Sequence, residues 1–174
     1  MIKRVLLFSA LMIAFNIGAN AQAPLPEGGK QVNVGIGFSG WGIPIYAGID
    51  FGVANNFTVG GEVSYRSYEE NLFGYGWQHT IFTIAGNGNY HFNEILEIPS
   101  KYDLYAGLSL GYSVWSTDYE GAGANPDYDG PHDSDIFLVG QVGGRYFFSD
   151  KIAAHVEFGG GSVAGAEAGI TILL

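Results

Sequence analysis

Seven ionisable residues, Asp50, Glu62, Arg66, Asp103, Arg145, Glu157 and Glu167, each fall on the polar side of a segment in which apolar residues recur at every second position. Asn87, Asn89, His91, Gln141 and His155 fall on that side too. Gathered on one face, such side chains could line a pore or bind a polar ligand. They could also fill an interior, because charges removed from water must be paired. Arg66 and Arg145 set against Glu62, Glu157 and Glu167 suit that second use. Structural filling is the expected role, with a narrow channel or small-ligand site as the alternative.

Oxygen ligands concentrate again between Ser116 and Asp135, where Asn125-Pro126-Asp127-Tyr128-Asp129-Gly130 matches the first half of a calcium loop. Asn125, Asp127, Asp129 and Asp133 are the candidate calcium ligands. The bidentate Glu that such a loop carries at its twelfth position is Ile136 here, so a solvated acidic loop is the expected reading and calcium the alternative. Catalysis at the rim would need a nucleophile grouped with a base. His79 with Ser67 or Ser116 is the one arrangement within reach of such a role; a His beside Trp77 reads as a rim residue, and no enzyme activity is expected. Tyr68, Phe73, Tyr75, Trp77, Trp115, Tyr119 and Tyr128 crowd the same connections. Aromatics there either contact a surface partner or lie among lipid headgroups.

The elements that position these residues follow from the period of two. Val32, Val34, Ile36 and Phe38 alternate with Asn33, Gly35 and Gly37, and Ile45, Ala47, Ile49 and Phe51 alternate with Tyr46, Gly48 and Asp50. The same reading continues through Phe57–Tyr65, Phe82–Phe92, Tyr102–Tyr112, Ile136–Phe148, Ile152–Phe158 and Ala168–Leu174. One face is greasy and the other small or polar, which is the mark of a strand. Each of these eight segments approaches the roughly 10 residues that a tilted strand needs to cross a bilayer. Phe51, Phe57, Tyr90, Phe92, Tyr102, Tyr146 and Phe148 stand at one set of ends, on the apolar side, as a headgroup girdle would. Tyr65, Phe82, Tyr112 and Phe158 mark the other set.

Composition agrees. Charged residues are 14% and aromatics 15%, with 28 Gly among 174 residues, whereas soluble domains carry about 25% charge. Two of the seven Lys and Arg residues, Lys3 and Arg4, precede an apolar run and the small-x-small signal Ala19-Asn20-Ala21, which together form a secretory signal peptide. Removing it leaves five basic residues against 17 acidic ones, a balance that excludes electrostatic binding of nucleic acid. There are no Cys, hence no disulfide and no thiol chemistry. Outside the signal no apolar stretch reaches the roughly 18 residues of a spanning helix, and hydrocarbon admits only helices and closed barrels.

The expected fold is therefore all-β: an eight-stranded antiparallel up-and-down transmembrane β-barrel. The signal peptide occupies 1–21, an N-terminal lead 22–29 and the barrel 30–174. Tight turns at Val53–Asn56 and Ser149–Lys151 mark the periplasmic side, which holds both termini, and long loops at Tyr68–Trp77 and Ser116–Ser134 mark the outside. A soluble lipocalin-like barrel is the rival. It would have to enclose dozens of bulky side chains, more than eight strands can hold.

The signal, the eight alternating segments, the Gly and aromatic usage and the final strand Ala166–Leu174 resemble the small outer-membrane β-barrels of the OmpX/OmpA-type group. The resemblance covers the mature chain and implies residence in a Gram-negative outer membrane, in contact with lipid and lipopolysaccharide. It further implies insertion by the barrel-assembly machinery and a structural or adhesive role through the outer loops. Members usually end in an aromatic residue, whereas this chain ends Ile172-Leu173-Leu174. With no periplasmic peptidoglycan-binding domain after Leu174, the OmpX-like subtype is the nearer one.

Overall fold

The computed structural model of the chain describes residues 23–40, 42–72, 75–119, 134–162 and 165–174. The signal peptide expected at 1–21 lies outside them. The strands are β1 (Lys30–Ser39), β2 (Ile45–Ala54), β3 (Phe57–Leu72), β4 (Tyr75–His91), β5 (Tyr102–Tyr119), β6 (Asp135–Phe147), β7 (Ile152–Gly161) and β8 (Gly165–Leu173). Each pairs antiparallel with the next, and β1 pairs with β8 from Gln31↔Leu173 to Ser39↔Gly165, which closes the barrel. Closure leaves no edge in the spanning region, as a bilayer demands.

Polarity decides what surrounds this barrel. Phe38 is 52% exposed, Ile49 36%, Leu108 60% and Ile170 37%, while Asp50, Asp103, Arg145, His91 and Thr171 are buried. The lipocalin arrangement is the reverse of this. The apolar belt ends in the expected girdle: Phe57 meets Tyr90 edge-on with centroids 4.9 Å apart, Tyr90 meets Phe92 at 5.1 Å, and Tyr102 meets Tyr146 at 5.3 Å. The Lys101 ammonium lies 5.1 Å from the centroid of the Tyr146 ring at this level. Asn56, in the left-handed region at φ 65°, turns β2 into β3, a conformation that Asn tolerates better than most residues.

The two ends differ. At the end bearing the termini two connections are tight, residues 55–56 and 148–151, and the third, 92–101, is longer; there Ala23 and Leu25 of the lead bury against Phe147, Ala153 and Leu173. At the far end β3, β4 and β5 run to 16, 17 and 18 residues, against 10 for β1, β2 and β7 and 9 for β8. The excess of six to eight residues over the 10-residue strands, at about 3.3 Å each, carries a three-stranded wall about 20 Å further along the strand direction, while β6, beside β5, has 13 residues. This corrects the loop boundaries read from sequence. Tyr68, Trp77 and Trp115 are strand residues, and Trp77 is buried. The β3–β4 ladder continues to Leu72↔Tyr75 and the β4–β5 ladder to Trp77↔Tyr119. Ladder bonds need no lipid; only the greasy alternation does, and above the bilayer it stops.

Candidate functional site

Alternation points every second residue into the lumen, and cross-strand register decides which of them meet. Asp103 on β5 stands opposite Arg145 on β6. The Arg145 guanidinium donates to Asp103 Oδ2 at 2.8 Å and to Asp50 Oδ2 at 3.4 Å, with all three side chains almost wholly excluded from solvent. Asp50 Oδ2 also accepts from Gln31 and Asn33, each at 2.8 Å. His91 reaches Asp103 Oδ1 through Nδ1 at 2.7 Å and Thr58 through Nε2 at 3.0 Å. The guanidinium lies 4.2 Å from the centroid of the Tyr105 ring, whose hydroxyl donates to Glu157 at 2.9 Å. Charge-assisted bonds of this kind are among the stronger ones available.

A second chain of bonds crosses beside the first. Thr171 donates to Asn33 Oδ1 at 2.8 Å and lies 2.9 Å from His155 Nδ1, and the other nitrogen, Nε2, bonds the Tyr46 hydroxyl. With the Thr171 proton committed to Asn33, His155 Nδ1 donates to Thr171 and Nε2 accepts from Tyr46. Together the two chains fill the terminal half of the lumen.

The far half is open. A cavity of about 150 Å³ is lined by Tyr46, Glu62, Glu157 and Glu167, with Phe137 and Val139 among the residues nearer its mouth. Glu157 and Glu167 are direct partners in the β7–β8 register, so like charges face each other across the ladder. Arg66 is bonded higher up, donating from Nη1 to Ser39 Oγ at 2.5 Å.

Sequence placed all seven charged residues on the inner face, and the structure joins Asp50, Asp103 and Arg145, with Glu157 linked through Tyr105. It does not pair Arg66 or Arg145 with Glu62, Glu157 or Glu167 by a salt bridge among the described residues. Arg145 instead takes the carboxylates at its own level. Tyr46, Tyr105, Thr171 and Gln31 were not singled out, although glycines signalled two of them. A Cβ on Gly143 would stand 2.3 Å from the Tyr105 ring, and one on Gly35 would stand 2.6 Å from the Tyr46 hydroxyl. Small residues across the ladder make room for large inward ones.

Of the outer candidates, Tyr68 stacks on His79 with centroids 4.8 Å apart. His79 Nδ1 lies 2.9 Å from Thr117 Oγ1. Ser67 and Ser116 alternate to the opposite face of the sheet from His79, so neither joins it. Tyr75 and Tyr119 fall at strand ends. Phe73, Tyr128 and the calcium candidates Asn125, Asp127, Asp129 and Asp133 lie outside the described residues. Among the described residues no group of three or more His, Cys, Asp or Glu is placed to hold a metal.

No protein-family model and no curated protein matches this sequence. Solved structures do. The outer-membrane protein OprG from Pseudomonas aeruginosa superposes with a TM-score of 0.57 at 9% identity, covering 86% of this chain and 97% of that one. The N-terminal β-barrel domain of OprF from the same organism gives 0.54 at 12% identity, covering 85% and 98%. Neisserial surface protein A gives 0.54 at 13% identity, covering 83% and 94%. At such identities the likeness is one of fold, and together with the lipid-facing belt it gives this chain the architecture of the small eight-stranded outer-membrane β-barrels of the OmpX/OmpA type.

Proposed function

We propose that the protein is a non-enzymatic outer-membrane barrel, with both termini in the periplasm, that anchors the β3–β5 wall at the cell surface for a structural or adhesive role. The observation that carries this reading is the difference in strand length. About 10 residues suffice to span, yet β3, β4 and β5 continue for six to eight more. Among the described residues the β2 ladder of β3 ends at Tyr65 and the β6 ladder of β5 at Ser113, beyond which the Trp115 N–H bonds Ser134 Oγ. Strand edges held clear of the membrane suit a partner that adds an extended segment. The tight turns at residues 55–56 and 148–151 support the periplasmic orientation. Lipid and lipopolysaccharide would surround the belt, and the barrel-assembly machinery would insert it.

The test is to shorten the β3–β4 hairpin by removing residues 69–76, display the variant on cells, and measure adherence to immobilised extracellular matrix. The variant should keep its heat-modifiable gel mobility and lose adherence; a folded variant that adheres as well as the parent rejects the wall as the binding element. A second reading, a small-ligand cup, is favoured by the acid-lined cavity. A conducting channel is disfavoured by the bonds that cross the lumen at Arg145, and sustained single-channel current in a planar bilayer would overturn that judgement.

A further inference from the structure

The lead crosses the terminal mouth of the barrel from side to side. Its Ala23 N–H donates to the Ser100 carbonyl at 3.3 Å, beside the start of β5. Its other end is fixed to β2, where Gly28 N–H donates to the Gly52 carbonyl at 2.8 Å and Gly52 N–H donates to the Gly29 carbonyl at 3.0 Å. Between these points Leu25, 5% exposed, sits against Phe147 of β6, Ala153 of β7 and Leu173 of β8. These three face into the lumen on the side of Arg145, His155 and Thr171 that bears the termini, by the alternation of their strands. Contact at Gly52 is close: a Cβ there would stand 2.0 Å from the Pro26 carbonyl oxygen.

We propose that residues 23–29 form a plug for the terminal mouth, seated by Leu25 and latched at Gly52, which leaves the lumen as a cup entered only from the far end. The apolar layer that Leu25 completes keeps water on the terminal side away from the Arg145, Asp50 and Asp103 bonds, which strengthens them. The plug is held at its two ends and at Leu25 between them, and one flank borders a cleft lined by Pro24, Asn55, Asn93 and Ile98. One leucine and three backbone bonds are a small attachment beside a barrel of eight ladders, so the plug is the part of the molecule that opens first.

The absence of Cys allows a direct test. Ala153→Cys places a single thiol under Leu25, and its reaction with a charged, water-soluble methanethiosulfonate is timed in refolded protein. Adding Gly52→Val, or deleting residues 23–28, should speed the reaction about tenfold or more, because a seated plug must open before the reagent enters. Two variants are used so that one suffices if the other fails to fold, with heat-modifiable mobility as the check. A thiol placed in the upper cavity by Val139→Cys should react at the same rate with and without the plug. Equal rates at position 153 in parent and lesioned barrels would overturn the proposal, as would acceleration at both positions, which would mean general loosening.

Discussion

Arg145 and Glu167 face the same lumen under opposite rules. Arg145 is buried with two carboxylates in reach and an aromatic ring against it. Glu167 looks across its own ladder at another glutamate, beside open space. The terminal half of the barrel is thus arranged for stability, with charges matched and volume filled. The far half keeps like charges together and leaves a cavity, an arrangement that costs stability and is therefore where a binding role would reside.

The comparison can be broken or sharpened by substitution. Arg145→Ala would leave the buried carboxylates of Asp50 and Asp103 without their cation and should lower unfolding free energy by about 3–5 kcal/mol. Urea titration in micelles measures it, and a loss below about 1 kcal/mol would mean that the matched layer is not what holds the terminal half. Ile84→Lys puts a charge on the lipid face at a residue 55% exposed and should cost about 2–4 kcal/mol in bilayers. Glu167→Gln removes one of two opposed charges and should raise stability by up to about 1 kcal/mol; a drop would show that the pair is not repulsive. Thr80→Lys lies on the same outer face as Ile84 but in the wall, and should change stability by less than about 0.5 kcal/mol. If it costs as much as Ile84→Lys, the wall is in lipid and not above it.

Much of this was legible in the residues. Alternation at Val32–Phe38 or Tyr102–Tyr112 reports the face directly, because a strand in lipid must be apolar on one side and a barrel interior must not be. The girdle at Phe57, Tyr90, Tyr102 and Tyr146 was equally readable. The wall was not, since its outer positions are Ser67, Thr80 and Ser116 while Trp77, His79 and Thr117 turn inward, so the greasy-outside contrast that marks the spanning part is lost there. Nor was the partner of Arg145, for pairing follows register, and register depends on turn lengths that alternation leaves open. The lead, Ala23-Pro24-Leu25-Pro26, has no period at all, and its place under the barrel emerges only in three dimensions.

The seam between β1 and β8 joins Gln31 to Leu173, almost the full length of the barrel segment apart. Every other ladder links neighbours along the chain and can form as soon as its hairpin exists. This one must wait for both extremes, so until the last moment two strands offer bare amide edges to whatever is near. A nascent molecule of this design is an open ribbon whose greasy side is already complete. It needs shelter from other ribbons until the circle shuts.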